Sequence, residues 1–411
     1  MTDDRLAGPN ALQRALFPRL TTKDTGLLIP TGPGAGRLEA IAIPSLVAMP
    51  IDHTAHRLFI IGPDGCPLDD YMYRLAPYVR TLVAADGAPR SIWFEEPDRA
   101  PIARKYFPDG TLVNGSADSP FSEEVDTVVM PFSHFRTVFF NAGGVHGVPE
   151  GIGYDQTVAH VAAPRGLFYF DESYGPTRDH FQDFLRMVEF LFAQDLDIVV
   201  GGSSLPDNAF DDLSFLECVD IAEVQREPNL TLHYVESKSF DSIEAVARAA
   251  AESRKPGERL AIVLNDPDDE RLTQIAGGLS TLLRSDVHLY RTADSRAVRG
   301  GVYAAVRELE KQGLGYVLVT DGPAMEVSDL DACTIVSEPC SALSLVRRAG
   351  RCNRRGSFAD ALLKIVGDAD ACVPRGGILA SENRRDAVIG AYDQARSPIS
   401  FDPAAWKSLI G

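Results

Sequence analysis

Ten short apolar runs punctuate this chain, and between them lie stretches whose apolar residues keep helical spacing. In the first half the runs cover residues 25–30, 57–61, 126–131, 167–170 and 197–200. In the second they cover 230–234, 260–264, 287–290, 316–319 and 334–336. Helical stretches fall at 38–49, 242–253 and 302–312. The five runs of the first half stop at a glycine, proline or acidic residue, the punctuation of a buried strand opening into a loop. Strands that alternate with helices predict α/β units with mostly parallel sheets, whose functional residues sit at the carboxyl ends of the strands. A chain of 411 residues exceeds one compact core and predicts two domains of ~150–200 residues. The Pro- and Asp-bearing stretch 206–228 is the expected linker. This gives domains at 1–225 and 226–370, followed by a short tail at 371–411 with a helix near 386–395 and an exposed Trp406.

Composition narrows the function classes. An apolar fraction of 45% with 24% charged residues is that of a soluble globular protein. No run of ~18 apolar residues is present, so no membrane span or membrane partner is expected. The acidic start Met1-Thr2-Asp3-Asp4 is no secretory signal. Six cysteines without a CxxC pair fit reduced thiols in a cytoplasm rather than disulfides or zinc. His134, His146 and His160 show no metal-site spacing. The net charge of −18 opposes bulk non-specific affinity for nucleic acid, while leaving room for a local basic channel.

Positive charge is concentrated at residues 344–356, where five arginines occupy nine positions. Arg348, Arg351 and Arg354 recur every three residues, which on a helix places them near one face. A guanidinium cluster on one face suits phosphate, which it grips as a fork; a solvated basic face is the plainer alternative. Near the other end, Thr31-Gly32-Pro33-Gly34-Ala35-Gly36 follows the first apolar run. It reads as a tight anion-binding turn at a helix N-terminus or as an ordinary strand-to-helix loop. Asp171-Glu172 directly follows the apolar run 167–170.

The run Arg347-Arg348-Ala349-Gly350-Arg351-Cys352-Asn353-Arg354-Arg355-Gly356 resembles the QRxGRxxR motif of superfamily 2 helicases. In its fuller form it is similar to the CRISPR-associated DNA helicases of type I interference systems. Arg347 stands where that family has glutamine. Other motifs follow in order over roughly residues 10–366. The resemblance implies two tandem RecA-like domains with a cleft between them, each a mostly parallel sheet flanked by helices. ATP and Mg²⁺ are the implied cofactors. Thr31, Gly32, Gly34, Gly36 and Arg37 fall where the family binds nucleotide. Asp171 would hold Mg²⁺ and Glu172 would orient the attacking water. Ser204 and Glu326 match motifs that couple nucleotide to nucleic acid. Arg351 and Arg354 correspond to arginine fingers that complete catalysis, and Arg348 would tie the motif to its own domain.

The departures from the family are selective. No lysine and no hydroxyl occupies the end of the phosphate loop, where Arg37-Leu38 or Ala35-Gly36 stand instead, depending on register. Those two groups are the electrostatic clamp and the metal ligand of phosphoryl transfer. Tyr174 replaces the histidine of the DExH motif, and Gly202 replaces the first serine of the SAT motif. Gly322 and Pro323 stand where threonine and glutamine are usual. The chain has no His-Asp dipeptide, so no metal-dependent nuclease of the kind coupled to these helicases is expected within it. The expectation is a helicase-like subunit of a type I antiviral interference system with an impaired ATP site. Its partners would be single-stranded DNA, the interference complex and a separate nuclease subunit. An active ATP-dependent translocase and a decoy that mimics the helicase are the alternatives.

Overall fold

Gly26–Ile29 (β1) buries all three of its large apolar side chains, the pattern of a strand covered on both faces. A computed structural model describes residues 11–20, 26–30, 36–48, 57–94, 102–115, 125–140, 166–174, 178–202, 205, 209–219, 229–239, 242–266, 270–285, 287–355, 357–373 and 382–410. These form two compact units, one ending at residue 219 and the other beginning at residue 229.

The first unit continues with β2 (Arg57–Gly62), β3 (Arg90–Phe94), β4 (Ile102–Tyr106), β5 (Leu112–Gly115), β6 (Thr127–Pro131), β7 (Gly166–Asp171), β8 (Asp197–Gly201) and β9 (Glu217–Cys218). They make one sheet in the order β5-β4-β3-β6-β2-β7-β8-β1-β9. Pairing is parallel except at β3–β4 and β4–β5. Helices Arg37–Ala48 and Asp69–Asp86 follow β1 and β2 and pack on each other beside the sheet. β7, β8 and β1 are neighbours, and their register sets Asp171 beside Gly201 and Gly201 beside Ile29. Three loops therefore open side by side at one edge of the sheet.

The second unit holds β10 (Leu230–Glu236), β11 (Leu260–Leu264), β12 (His288–Tyr290), β13 (Val317–Asp321), β14 (Thr334–Ser337), β15 (Ala361–Gly367) and β16 (Ile399–Ser400). Their order is β12-β13-β11-β14-β15-β10-β16, parallel except for β16. Both sheets, flanked by helices, give the α/β class expected from the alternation of runs.

Several expectations are corrected. The arginines of the basic run do not share a helical face, because the helix Ala342–Ala349 stops before Arg351 and Arg354. Gly350 caps it, and Asn353 turns the chain in the left-handed region at φ 53°. The Asn353 side chain holds the turn by accepting from the Phe358 N–H and donating to its carbonyl. Within the stretch read as a linker, Glu217–Cys218 instead adds a strand to β1. Trp406 is 4% exposed, not solvated. Its ring packs against Tyr392 and Phe401, because β16 brings the C-terminal segment onto β10. The antiparallel β4–β5 extension and β15, whose burial alternates, are not among the ten apolar runs.

Removing the indole by Trp406→Ala should destabilise the second unit by about 3–5 kcal/mol. Hydrogen exchange would show it as loss of protection in β10 and β15, with the first unit's strands unchanged.

Candidate functional site

The loops after β1, β7 and β8 bring Arg37, Asp171-Glu172 and Gly201-Gly202 together. Arg37 begins the helix Arg37–Ala48, after Gly36 turns the chain at φ 73°. Its guanidinium lies 3.0 Å from Glu172 Oε1 and 3.5 Å from Asp171 Oδ1. All three side chains are about nine-tenths buried. Burial opposes the charge on Arg37. The attraction of Asp171 and then Glu172 outweighs that and raises its pKa above the ordinary arginine value.

Three tyrosines complete the site. The Tyr71 hydroxyl donates to Asp171 Oδ2 at 2.8 Å and Tyr169 donates to Asp171 Oδ1 at 2.7 Å. The Tyr174 hydroxyl donates to Glu172 Oε2. Each of the four carboxylate oxygens thus has a donor from the protein itself. Burial, then the Asp171 carboxylate, pushes the Tyr71 and Tyr169 phenols well above the usual tyrosine range. Glu172 takes a left-handed backbone at φ 54°, and its N–H donates to Gly201 O at 2.9 Å. A second buried pair, Arg74 with Glu39, joins the two helices behind the site through bonds of 3.2 and 3.1 Å.

The glycines fit the tyrosines. A Cβ on Gly202 would sit 2.4 Å from the Tyr174 hydroxyl, and one on Gly201 would sit 2.9 Å from the Tyr169 ring. The two departures from the helicase pattern noted in the sequence, Tyr174 and Gly202, are therefore one steric unit. That link was open to a joint reading of the two motifs. The contributions of Tyr71 and of the Arg74–Glu39 pair were not, since only the tertiary fold brings them in. Thr31, Gly32, Gly34 and Ser204 lie outside the described residues. Among the described residues no group of three or more His, Cys, Asp or Glu is placed to hold a metal ion.

In the second unit the arginines converge on the segment 326–331. Arg348 is 2% exposed; it donates to Glu326 Oε1 at 3.1 Å and Ser337 Oγ at 2.7 Å. Arg351 donates to the Glu326 carbonyl, and Arg354 Nη1 donates to Ser328 O at 3.1 Å. The Arg354 N–H donates to Asp331 Oδ1 at 2.7 Å, and Arg355 pairs with Glu310 at 3.0 Å. Asp331 faces Arg259 at 3.5 Å and is fully buried. Burial pushes its carboxyl up to about 6.

No known family profile matches the chain, and no curated protein sequence matches it. Solved structures do. The T. fusca Cas3–AMPPNP structure superposes with a TM-score of 0.63 at 15% identity, covering 98% of this chain and 52% of that one. The DUF1998 helicase MrfA bound to DNA and AMPPNP gives 0.61 at 13% identity, covering 96% and 52%. The DEAD-box helicase Mss116 bound to ssRNA and UDP-BeF gives 0.58 at 13%, covering 97% and 79%. The chain spans about half the length of the Cas3 and MrfA chains it resembles. At these identities the likeness shows the fold alone: α/β, with two RecA-like domains.

Two predictions follow from the geometry. Arg37→Ala leaves two buried carboxylates without their cation and should cost about 3–5 kcal/mol in the first unit. Millimolar guanidinium should restore part of the loss in a thermal melt. Asp331 titrates with the opposite sign to a carboxylate whose pKa is lowered, because its burial outweighs the pull of Arg259. Its folded pKa lies above the unfolded value, so its contribution is greatest below pH ~4 and is lost as pH rises to about 6. Asp331→Asn should flatten that part of the stability profile in urea titrations between pH 4 and 7.

Proposed function

We propose that this chain is a helicase-like subunit of a type I CRISPR interference system that engages DNA or partner subunits without hydrolysing ATP. The observation that carries the reading is the Arg37 guanidinium against Asp171 and Glu172. In a working helicase the first carboxylate would hold Mg²⁺ and the second would orient water. Here Asp171 accepts from two phenols, while Glu172 accepts from a guanidinium and a phenol. A divalent ion would have to displace these donors and share a buried pocket with a fixed positive charge, at a Coulombic cost that low polarity enlarges. Mg²⁺-ATP therefore does not fit the residues present, and we derive no hydrolytic step.

The chain's own residues neutralise and fill the site instead. Arg37 supplies the cation, Tyr71, Tyr169 and Tyr174 supply the donors, and Gly201 and Gly202 leave room for the rings. The CRISPR assignment rests on the arginine-motif resemblance together with the fold likeness to Cas3. A separate nuclease subunit and the displaced single strand are the partners this reading implies. A subunit that keeps the fold and loses the chemistry has a role in holding and recruiting.

The test is phosphate release by the purified chain with Mg²⁺-ATP, with and without single-stranded DNA. The expected result is no turnover above a blank and no thermal shift with nucleotide. Turnover stimulated by DNA and abolished by Glu172→Gln would sink the reading in favour of an active translocase.

A further inference from the structure

The two sheets have four edges, and they are not equally protected. β9 and β16 are two residues long; β9 carries Glu217 and β16 follows Pro398. β12 is three residues long and lies against the helices Glu270–Leu283 and Arg296–Lys311. β5 runs for four residues, Leu112-Val113-Asn114-Gly115, and among the described residues it pairs with β4 alone. Charge, proline and short length are the usual protections of a strand edge. β5 has neither charge nor proline, and its Leu112 and Val113 are 38% and 45% exposed.

The turn between β4 and β5 fixes which backbone groups face outward. The Phe107 N–H donates to Thr111 O, and Gly110, at φ 83°, donates to Phe107 O, both at 3.0 Å. Phe107 and Thr111 are therefore a hydrogen-bonded pair, and along an antiparallel ladder such pairs alternate with unbonded ones. Tyr106 stands opposite Leu112, Lys105 opposite Val113 and Arg104 opposite Asn114. The alternation thus turns the N–H and C=O groups of Leu112 and Asn114 away from β4, where they can receive one more strand.

The ground behind this edge is positive. Arg80, from the helix Asp69–Asp86, stands 5.8 Å over the Tyr106 ring, on the face that Arg104 shares. On the other face the Lys105 ammonium stands 5.9 Å over the Phe107 ring. Among the described residues none of these three cations forms an ion pair. The one acid of the hairpin, Asp109, accepts from the Thr111 N–H at 2.8 Å within the turn, and Asp126 accepts from Ser91 and feels Lys105 at longer range. On a chain of net charge −18, such a local excess of cations favours a partner of negative charge.

We propose that β5 receives an extended peptide segment of a partner protein, in which acidic residues alternate with apolar ones. The segment adds a tenth strand to the sheet and bonds the outward groups of Leu112 and Asn114. Its acidic side chains lie on the Arg80 and Arg104 face, and its apolar ones cover Val113. The added strand lies about 4.8 Å from β5 and about 9.6 Å from β4, a gap that a glutamate and an arginine span together. The edge is five strands from β7 in the sheet order, so the surface is independent of the Arg37 site.

The probes are a fluorescent octapeptide that alternates glutamate with valine and its twin with lysine in place of glutamate. Each is titrated with the full chain by anisotropy, and amide exchange is followed by NMR. Saturable binding of the glutamate peptide is expected, with slowed exchange at Leu112 and Asn114 and none added at Val113, whose N–H already faces β4. The lysine peptide should bind at least about fivefold more weakly, the scale of one exposed ion pair. Arg80→Glu, at an exposed position, should leave Tm unchanged and narrow or reverse that preference. Asn114→Pro, which deletes one outward N–H and keeps the β4 ladder, should weaken both peptides. No saturation up to about 1 mM chain overturns the proposal, as do equal affinities for the two peptides or protection that falls outside β5. Competition by a single-stranded oligothymidylate would assign the cations to nucleic acid instead. Protection of Leu112 and Asn114 on concentrating the chain alone would assign the edge to a second copy; either result overturns the proposal.

Discussion

A buried guanidinium between two carboxylates organises the first unit. Left alone, Asp171 and Glu172 would be two anions in a pocket from which water is mostly excluded, a costly arrangement. In a nucleotide-dependent protein a metal ion would meet that cost only when ligand is bound. Here Arg37 meets it permanently, from the first turn of the helix after β1. The tyrosines then follow as donors to the remaining lone pairs, and the glycines follow as the space the tyrosines need. A change at one motif thereby constrains the others, which explains why the departures occur together.

The second unit uses charge differently. Its arginine run is folded inward, onto the carbonyls and carboxylates of residues 326–331. The turn at Asn353 and the bridge between Ala332 and Cys352 fix that segment beside β14. Arg355, Arg307 and Arg259 surround Glu310 and extend the network to the helix Arg296–Lys311. Such networks specify one arrangement of a loop more than they add net stability.

The alternation of apolar runs located most central strands of both sheets to within a residue or two, since fully buried parallel strands are continuous apolar stretches. What stayed hidden has physical reasons. β4 and β5 pair antiparallel at an edge and carry mixed polarity, so no continuous run marks them. The helix Arg296–Lys311 begins six residues before the expected position because the Gly300-Gly301 pair looks like a break, whereas Ser295 caps it from outside. At the site, Asp171, Glu172 and Arg37 were each legible as candidates. Their direct contact was not, because 135 residues separate Arg37 from Glu172 and only the β1–β8–β7 register joins them.

The tyrosine phenols also give the first unit an optical property. Tyr71 and Tyr169 are fully shielded and hydrogen-bonded to a carboxylate that would repel a phenolate. In an alkaline absorbance titration these two stay spectrally silent until the surrounding sheet opens, as do Tyr316 and Tyr392 in the second unit, whose phenols burial also pushes well above the usual range. The late phase of such a titration is therefore a label-free report on the opening of the buried cores of both units, this pocket among them.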